Sequence, residues 1–171
     1  DFFYSNAFIY YEKNNKIKKY KNKVLPEGKI YKFLAKDYFI IISGLIIKKK
    51  VFKEIGNFNK KFNIIGDYDF VMRLSQNYNS HAHNQPLFFY RSHEDNFSKK
   101  NTELFYNEFK EWYNNQEKIN ENNFNLNKKF IKKKLLSLEI NHLLFNKDKD
   151  FNLLSKIFFY PDYIEKIKYL I

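Results

Sequence analysis

The sequence predicts an α/β protein: a mixed sheet with flanking helices, followed by an α-helical carboxy-terminal extension. Up to residue 98, short runs of aromatic and β-branched residues alternate with short amphipathic stretches. From Thr102 to Ile171, apolar residues recur mostly at helical spacing. The 171 residues are 44% hydrophobic and 20% aromatic, which excludes a disordered tail and allows a sizeable core. We therefore expect two parts, residues 1–98 and residues 99–171.

The first elements form a predicted hairpin. Asp1–Tyr11 is rich in Phe, Tyr and Ile, which predicts a buried or half-buried strand. Glu12–Lys16 is a polar turn, and Ile17–Val24 alternates loosely with lysines, as an exposed strand does. No apolar run in the chain approaches the roughly 18 residues that a membrane-spanning helix needs.

Two short helices and a strand are predicted next. Lys29–Lys36 has the apolar spacing of an amphipathic helix. Phe39–Ile47 is the longest apolar run and predicts a core strand, with Ser43-Gly44 as a bulge or a close backbone approach. Lys48–Ile55 predicts another short helix, which Gly56 ends as a C-cap.

A loop then leads into a helix that carries two carboxylates. Asp67 and Asp69 are expected in its first turn, and the helix is expected to end near Asn77. His81–His83 and Pro86–Tyr90 predict two short strands. Four helices are expected beyond them, with a linker at Asn114–Asn127: Thr102–Lys118, Lys128–Phe145, Phe151–Phe159 and Asp162–Leu170.

Charge and cysteine content limit the classes of partner and compartment. The formal net charge is +12, but of 31 basic residues only Arg73 and Arg91 are arginine, the residue that best reads phosphates and bases. Residues 61–115 carry six basic and seven acidic residues, so the middle third is not basic. We therefore predict solvated lysine faces and no nucleic-acid partner. The absence of cysteine excludes disulfides and fits a reducing, cytoplasmic compartment.

Residues 58–98 contain the candidate chemistry. A carboxylate at Asp67 can cap the helix or act as a general base, and spacing alone favours the cap. A strand end presents Arg91 and His93 on one face, where Arg suits phosphate and His suits a divalent metal. His81-x-His83 is rejected as a zinc site because no Cys or carboxylate completes it at ligand spacing.

Three ordered motifs resemble one family. Ser43–Phe58, with its Val-Phe-x-x-x-Gly-x-Phe end, is followed by the acidic helix Ile65–Leu74 and by Pro86–His93 with Asn96 and Ser98. Their order and spacing resemble the second half of a family 2 glycosyltransferase, a nucleotide-diphospho-sugar transferase of GT-A type. The resemblance covers residues 1–98, which would form the acceptor-side half of that domain, with residues 99–171 as a helical extension.

The resemblance implies inverting sugar transfer with Asp67 as the general base, and capping can remain a second role. The family has a Glu-Asp pair at this place. Here Gly66 stands in place of the Glu, so Asp67 is the only carboxylate of the pair that can be the base. Asp69, Arg91 and the pair Ser43-Gly44 are assigned to substrate binding.

The implied ligands are a nucleotide-diphospho-sugar donor, a glycan or lipid-linked acceptor, and a divalent metal, Mg²⁺ or Mn²⁺. His93 is assigned to the metal. The family's nucleotide-binding half, with its Asp-x-Asp metal motif, has no counterpart before Asp67. We therefore expect this chain to be a fragment that is inactive alone, with the metal present in the full-length enzyme.

Two alternatives remain open from the residues. The first is a non-catalytic basic binding module for RNA or acidic glycans, in which aromatic residues among lysines stack bases. The second concerns the basic segment Lys128–Phe145, which could contact an anionic membrane at its inner face or simply pack on the core with a solvated lysine face.

Overall fold

The structure, a computed structural model, describes residues 2–145. It is a mixed α/β fold with a four-stranded sheet and helices around it. The predicted helices Phe151–Phe159 and Asp162–Leu170 lie outside the described residues. Within the described part, no helix combines the length and the apolarity that crossing a membrane requires.

The sheet is built around its first strand, β1, at Phe2–Tyr11. β4, at Ser80–Ser92, pairs parallel with β1 along its whole length. β2, at Lys16–Lys19, and β3, at Leu45–Ile47, pair antiparallel with the two ends of β1. Because β4 occupies one edge of β1, β2 and β3 share the other edge.

Six helices complete the described fold. α1 and α2 are short, α3 crosses from β3 toward β4, and α5 and α6 form the described part of the extension. Their bounds, in order, are Tyr31–Lys36, Lys49–Ile55, Gly66–Asn77, Phe97–Lys100, Thr102–Ile119 and Asn122–Phe145. Gly56 follows α2 with φ +78°, a conformation that side-chain-bearing residues rarely adopt, which confirms the predicted glycine stop.

The strand predicted at Phe39–Ile47 is mostly wrong. Only Leu45–Ile47 pairs with β1, and Ile42–Gly44 forms a 3-10 turn. Phe39 and Ile40 are buried without being in a strand. The apolar run therefore indicates that these residues are buried. It does not indicate strand pairing, because residues with irregular backbone can be buried too.

The two strands predicted at His81–His83 and Pro86–Tyr90 are one strand, β4. Its pairing with β1 is irregular on both sides of Asn6, where residues of β4 are skipped. The buried Asn6 amide fills this irregularity: it donates to the backbone oxygens of Asn84 and Lys21. A buried amide with these partners stabilises a bulge that contains a proline.

The linker predicted at Asn114–Asn127 is also wrong, because most of it is helical. α5 continues to Ile119, and Asn120, at φ 58°, makes the left-handed turn from which α6 starts. Asn tolerates this conformation better than other side chains. Phe124 of the same stretch is fully buried, so the polar composition hid a core contact.

One hydrophobic core joins the sheet to the helices. Phe109 and Trp112 of α5 and Ile131 of α6 belong to the same buried cluster as Tyr4 of β1 and Phe70 of α3. The described helices after residue 98 therefore pack on the sheet-bearing part as components of its core. α3 takes part in these contacts directly after Asp67, because the Tyr68 ring packs against Phe109 and Trp112 of α5.

Candidate active site

Asp67 lies in the first turn of α3 and is half-buried. Its Oδ1 accepts a hydrogen bond from the Tyr68 backbone N–H at 2.6 Å. Asp67 is not the N-cap, since that position is Ile65, which makes no side-chain capping bond. The N-cap position predicted for Asp67 is therefore wrong, but its carboxylate still satisfies one of the free N–H groups of the first helical turn.

Burial raises the pKa of Asp67 above the usual 3.8, since desolvation disfavours its charged form. Its hydrogen bonds from backbone N–H groups and the nearby charge of Lys134 oppose that rise. A carboxyl group whose pKa is raised is better matched to accepting a proton near neutral pH than an exposed one. The environment of Asp67 thus suits a general base.

Two tyrosines form a wall beside Asp67. The rings of Tyr38, which follows α1, and Tyr68 lie 5.1 Å apart between centroids. Their buried hydroxyl oxygens have no hydrogen-bond partner among the described residues. Burial raises the pKa of the Tyr38 hydroxyl well above its usual range, and the charge of Asp67 adds to this. Buried hydroxyl groups without partners are uncommon, and both of these oxygens are shielded from solvent.

Further tyrosines continue from this wall toward the end of β4. The Tyr20 hydroxyl acts electrostatically on Tyr38, and burial raises the pKa of Tyr20 to about 12, with a smaller contribution from Tyr90. The Tyr90 oxygen accepts a hydrogen bond of 3.4 Å from the Asn96 amide. Tyr20 and Tyr90 are thus within electrostatic range of each other, and Tyr90 lies next to the loop after β4.

Lys134 reaches the same place from α6. Its Nζ lies 5.4 Å from the ring centroid of Tyr68, 5.8 Å from that of Phe109 and 6.0 Å from that of Tyr38. These distances fit cation–π contacts with three rings. The Lys134 ammonium thus lies among rings of α3, α5 and the segment after α1, and its charge acts on Asp67.

α5 holds the loop that enters α3. The buried Glu108 carboxylate accepts hydrogen bonds from the backbone N–H groups of Asn63 at 2.7 Å, Ile64 at 2.9 Å and Ile65 at 3.2 Å. Charged acceptors of several N–H groups make strong hydrogen bonds. Glu108 therefore fixes the backbone directly before Asp67.

Asp69 serves the packing of α3. Its Oδ2 accepts from the Arg73 Nη2 at 2.8 Å, and its Oδ1 accepts from the Trp112 indole N–H at 3.1 Å. Arg73 also donates to the backbone oxygens of Ile55 and Asn57. Asp69 is two residues from Asp67, which places it on the opposite side of the helix. A surface cleft of about 570 Å³ borders Asp69 and Arg73, not Asp67.

The pair Ser43-Gly44 lies at the middle of β1. Ser43 is exposed, and Gly44 is buried. A Cβ on Gly44 would lie 2.3 Å from a ring carbon of Phe88 and 3.0 Å from Ser5 Oγ. The predicted close approach is therefore present, and the group that approaches is the Phe88 ring of the same chain.

Arg91 and His93 lie at the far end of β4. Arg91 forms an exposed ion pair with Glu12 at 2.8 Å, and the His93 backbone N–H donates to the Asn96 side chain at 2.7 Å. Arg91 is three residues beyond Phe88, about 10 Å farther along the strand. Among residues 2–145, no group of three His, Cys, Asp or Glu side chains could hold a metal ion. His93 alone does not make a metal site, so its assignment stays a prediction that needs ligands from elsewhere.

The sequence reasoning missed Tyr38, Lys134 and Glu108. Lys134 was part of the predicted basic helix, but nothing in that pattern separates it from its neighbouring lysines. Glu108 precedes Trp112 by one helical turn, and both bond to α3 or the loop before it. That spacing could have marked a polar contact face on α5.

No protein-family model, no curated protein and no solved structure matches the chain. Function must therefore be inferred from the order of the three sequence motifs and from the surroundings of Asp67.

Proposed function

We propose that the chain is the acceptor-side half of an inverting family 2 glycosyltransferase of GT-A type, with Asp67 as its general base. The donor is a nucleotide-diphospho-sugar, and the acceptor is a hydroxyl group of a glycan or of a lipid-linked sugar. The observation that carries the proposal is the half-buried Asp67 carboxylate, whose pKa burial raises, at the start of the motif-bearing helix α3.

The chemistry assigned to Asp67 is a single proton transfer. The acceptor oxygen attacks the anomeric carbon of the sugar while the bond from that carbon to the diphosphate oxygen breaks. The proton of the acceptor hydroxyl passes to an Asp67 carboxylate oxygen, which requires the hydroxyl to lie about 2.6–3.2 Å away. Attack from the face opposite the leaving group inverts the anomeric configuration.

The half-buried ring of Tyr38 supports a sugar acceptor. Tyr38 is close enough to Asp67 for the two to interact electrostatically, and Tyr68 is buried behind its ring. Sugars present both C–H faces and hydroxyl groups, which match aromatic rings and hydrogen-bonding groups respectively. The parallel pairing of β1 with β4, which α3 immediately precedes, is compatible with an α/β nucleotide-sugar enzyme.

The other ligands and the location are proposed on the resemblance. The divalent metal, Mg²⁺ or Mn²⁺, would need ligands beyond the described residues, so no step is assigned to it here. Peripheral contact with the inner face of a membrane would use exposed lysines such as Lys129 and Lys132, because Ile131 of the same helix is buried in the core.

The test is Asp67→Asn in a protein that joins this chain to a nucleotide-binding half. We expect turnover of nucleotide-diphospho-sugars to fall about 100- to 10,000-fold, the usual contribution of a general base. Binding of the nucleotide should change little. The measurement is release of nucleoside diphosphate in the presence of sugar acceptors.

Asp37→Asn is the matched control, since Asp37 is an exposed carboxylate after α1. It should keep full turnover, and the 171-residue chain alone should have none. Robust turnover by the chain alone would contradict the fragment interpretation. Undiminished turnover in Asp67→Asn, together with RNA binding that weakens steeply with salt, would favour the basic binding module instead.

A further inference from the structure

One end of the sheet exposes apolar side chains that the proposed function does not use. β1 and β4 run parallel and finish side by side. The turn after β1 and the end of β4 are joined there by the ion pair of Glu12 with Arg91. Residues 8–19 and 87–100, which make up this end, are called the sheet end below.

The sheet end concentrates the exposed apolar surface of the described chain. It is less than a fifth of residues 2–145, yet it holds six of the thirteen large hydrophobic residues that are exposed there. Phe89 is 63% exposed and Ile17 is 57% exposed. Exposed apolar patches of this kind mark sites of contact with other molecules. The six residues are Tyr11, Ile17, Leu87, Phe89, Tyr90 and Phe97.

Strand pairing joins part of this surface into one strip. Ile17 of β2 lies opposite Tyr10 of β1, and Phe8 of β1 lies opposite Phe89 of β4. Directly paired residues project from the same face of a sheet, as do residues two positions apart in one strand. The rings of Phe8 and Phe89 stack with 5.3 Å between their centroids. These four side chains therefore form an apolar strip across three strands.

Positive charge surrounds the apolar strip. The sheet end contains seven basic and three acidic residues, so its net charge is +4. All three acidic residues form ion pairs with basic residues of the sheet end. Lys16, Lys18 and Lys19 of β2 form no ion pair with any residue between positions 2 and 145. Two copies of this surface would repel each other, so its charge favours an anionic partner over self-association.

The chemistry of the strip distinguishes between anionic partners. Ile17, Phe8 and Phe89 carry no hydrogen-bonding group in their side chains, whereas a site for a sugar or a nucleotide needs convergent polar groups. Arg91 is the single arginine of the sheet end, and its guanidinium already donates to Glu12 at 2.8 Å. Apolar side chains next to lysines are instead typical of surfaces that lie on anionic membranes.

We propose that the sheet end binds an anionic lipid membrane. The apolar strip enters the interface between headgroups and acyl chains, and the lysines of β2 lie against the anionic headgroups. A membrane is a partner named in the proposed function, but this binding does not depend on sugar transfer. The surface is also distinct from the lysines of α6, a helix that buries Phe124 and Ile131 in the core.

The experiment is flotation of the full 171-residue chain with lipid vesicles. Vesicles of phosphatidylcholine and phosphatidylserine in equal parts provide an anionic surface, and vesicles of phosphatidylcholine alone provide a neutral one. We expect the chain to bind the anionic vesicles at low salt and to bind the neutral vesicles about tenfold less tightly or worse. Added salt should weaken binding to the anionic vesicles.

Paired lysine variants test the contribution of charge. Lys16→Gln together with Lys18→Gln should weaken binding to the anionic vesicles about 25-fold, or about fivefold for each lysine. Lys129→Gln together with Lys132→Gln removes the same charge from exposed positions of α6. This control should weaken binding less than about threefold, the reduction that a lower net charge alone can cause.

A second set of variants tests the apolar strip. Ile17→Thr together with Phe89→Thr should weaken binding about tenfold, because less apolar surface is buried in the membrane. Threonine is favourable in strands, and both positions are exposed. Ile46→Thr, at an exposed position of β3, is the control and should change binding less than about twofold. If circular dichroism shows that the double variant is unfolded, Ile17→Thr alone is compared with Ile46→Thr.

Three results would overturn the proposal. The first is no binding of the wild type to anionic vesicles, including the case in which it binds polyuridylate RNA instead. The second is an equal effect of the two lysine pairs, which would place the contact on α6. The third is an effect of Ile17→Thr no larger than that of Ile46→Thr.

Turnover separates this proposal from the proposed function. If Asp67→Asn abolishes turnover and no vesicles are bound, Asp67 is the base and the sheet end has no membrane role. If vesicles are bound as expected while Asp67→Asn keeps full turnover, the membrane surface is supported and the reaction assignment is wrong.

Discussion

Asp67 and Glu108 are two carboxylates of α3 and α5 with opposite surroundings. Glu108 is buried and accepts three backbone hydrogen bonds, so its charge is compensated. Asp67 accepts a hydrogen bond from the Tyr68 backbone N–H, but burial is the larger influence and raises its pKa. A side chain whose charged form is disfavoured by the fold costs stability, and such costs are common at functional positions.

The stability cost of Asp67 should depend on pH. Because its pKa in the folded chain is raised above 3.8, the folded state binds this proton more tightly than the unfolded state. The folded state therefore loses stability at this site as the pH rises from about 4 through the raised pKa. Asp67→Asn lacks this titration. We expect the free energy of unfolding of Asp67→Asn, relative to wild type, to increase over that range.

Urea unfolding of both proteins at several pH values between about 4 and 7 measures this difference. A difference that stays constant or shrinks as the pH rises would show that burial does not raise the pKa of Asp67.

At the scale of elements, α3 depends on α5. Glu108 holds the loop before α3, and Trp112 donates to Asp69 within α3. Asp69 also pairs with Arg73, which bonds to the backbone at the end of α2. The helix that carries Asp67 is thus fixed at its start by one neighbouring helix and along its opposite face by two.

Glu108→Gln should weaken this attachment. An amide group in place of the carboxylate loses the charge and turns N–H donors toward the backbone N–H groups of Asn63 to Ile65. We expect a loss of about 1.5–3 kcal/mol in the free energy of unfolding, measured in urea. Glu111→Gln, an exposed position on α5, is the control and should change it by less than about 0.5 kcal/mol. Equal effects of the two substitutions would contradict the role of Glu108.

At the scale of the molecule, the hydrophobic core contains residues from both sides of the boundary predicted after Ser98. Phe109, Trp112, Phe124 and Ile131 are buried in the same cluster as the residues of β1 and α3. Removing them would expose these partners and leave the loop before Asp67 without Glu108. The predicted division into residues 1–98 and 99–171 can therefore be tested directly.

We expect a protein of residues 1–98 to lack cooperative thermal unfolding and dispersed NMR signals, because too little apolar surface remains buried. A protein of residues 1–145 should retain both. Cooperative unfolding of residues 1–98 at the wild-type midpoint would instead support two independent domains.

Local features of the fold were predictable from the sequence. β1, α1, α2 with its Gly56 stop, α3 and α5 follow from periodicity, turn residues and glycine, all of which act within a few residues. The strand predicted at Ile17–Val24 is confirmed only in its first part, because β2 ends at Lys19. The expected mixed α/β class agrees with the four-stranded sheet, whereas its GT-A character stays a prediction. Two segments were misassigned. Phe39–Ile47 is apolar but mostly not a strand, and Asn114–Asn127 is polar but mostly helical.

The sequence by itself determined that Asp67 lies at the start of a helix and that residues 128–145 form a basic helix. Only the tertiary structure decided that Lys134 of that helix lies over Tyr38 and Tyr68. It also decided that the ring packed closely against Gly44 is that of Phe88. The physical reason is range. Helix starts depend on hydrogen bonds between residues a few positions apart, whereas the surroundings of Asp67 depend on how separate elements pack against a shared core.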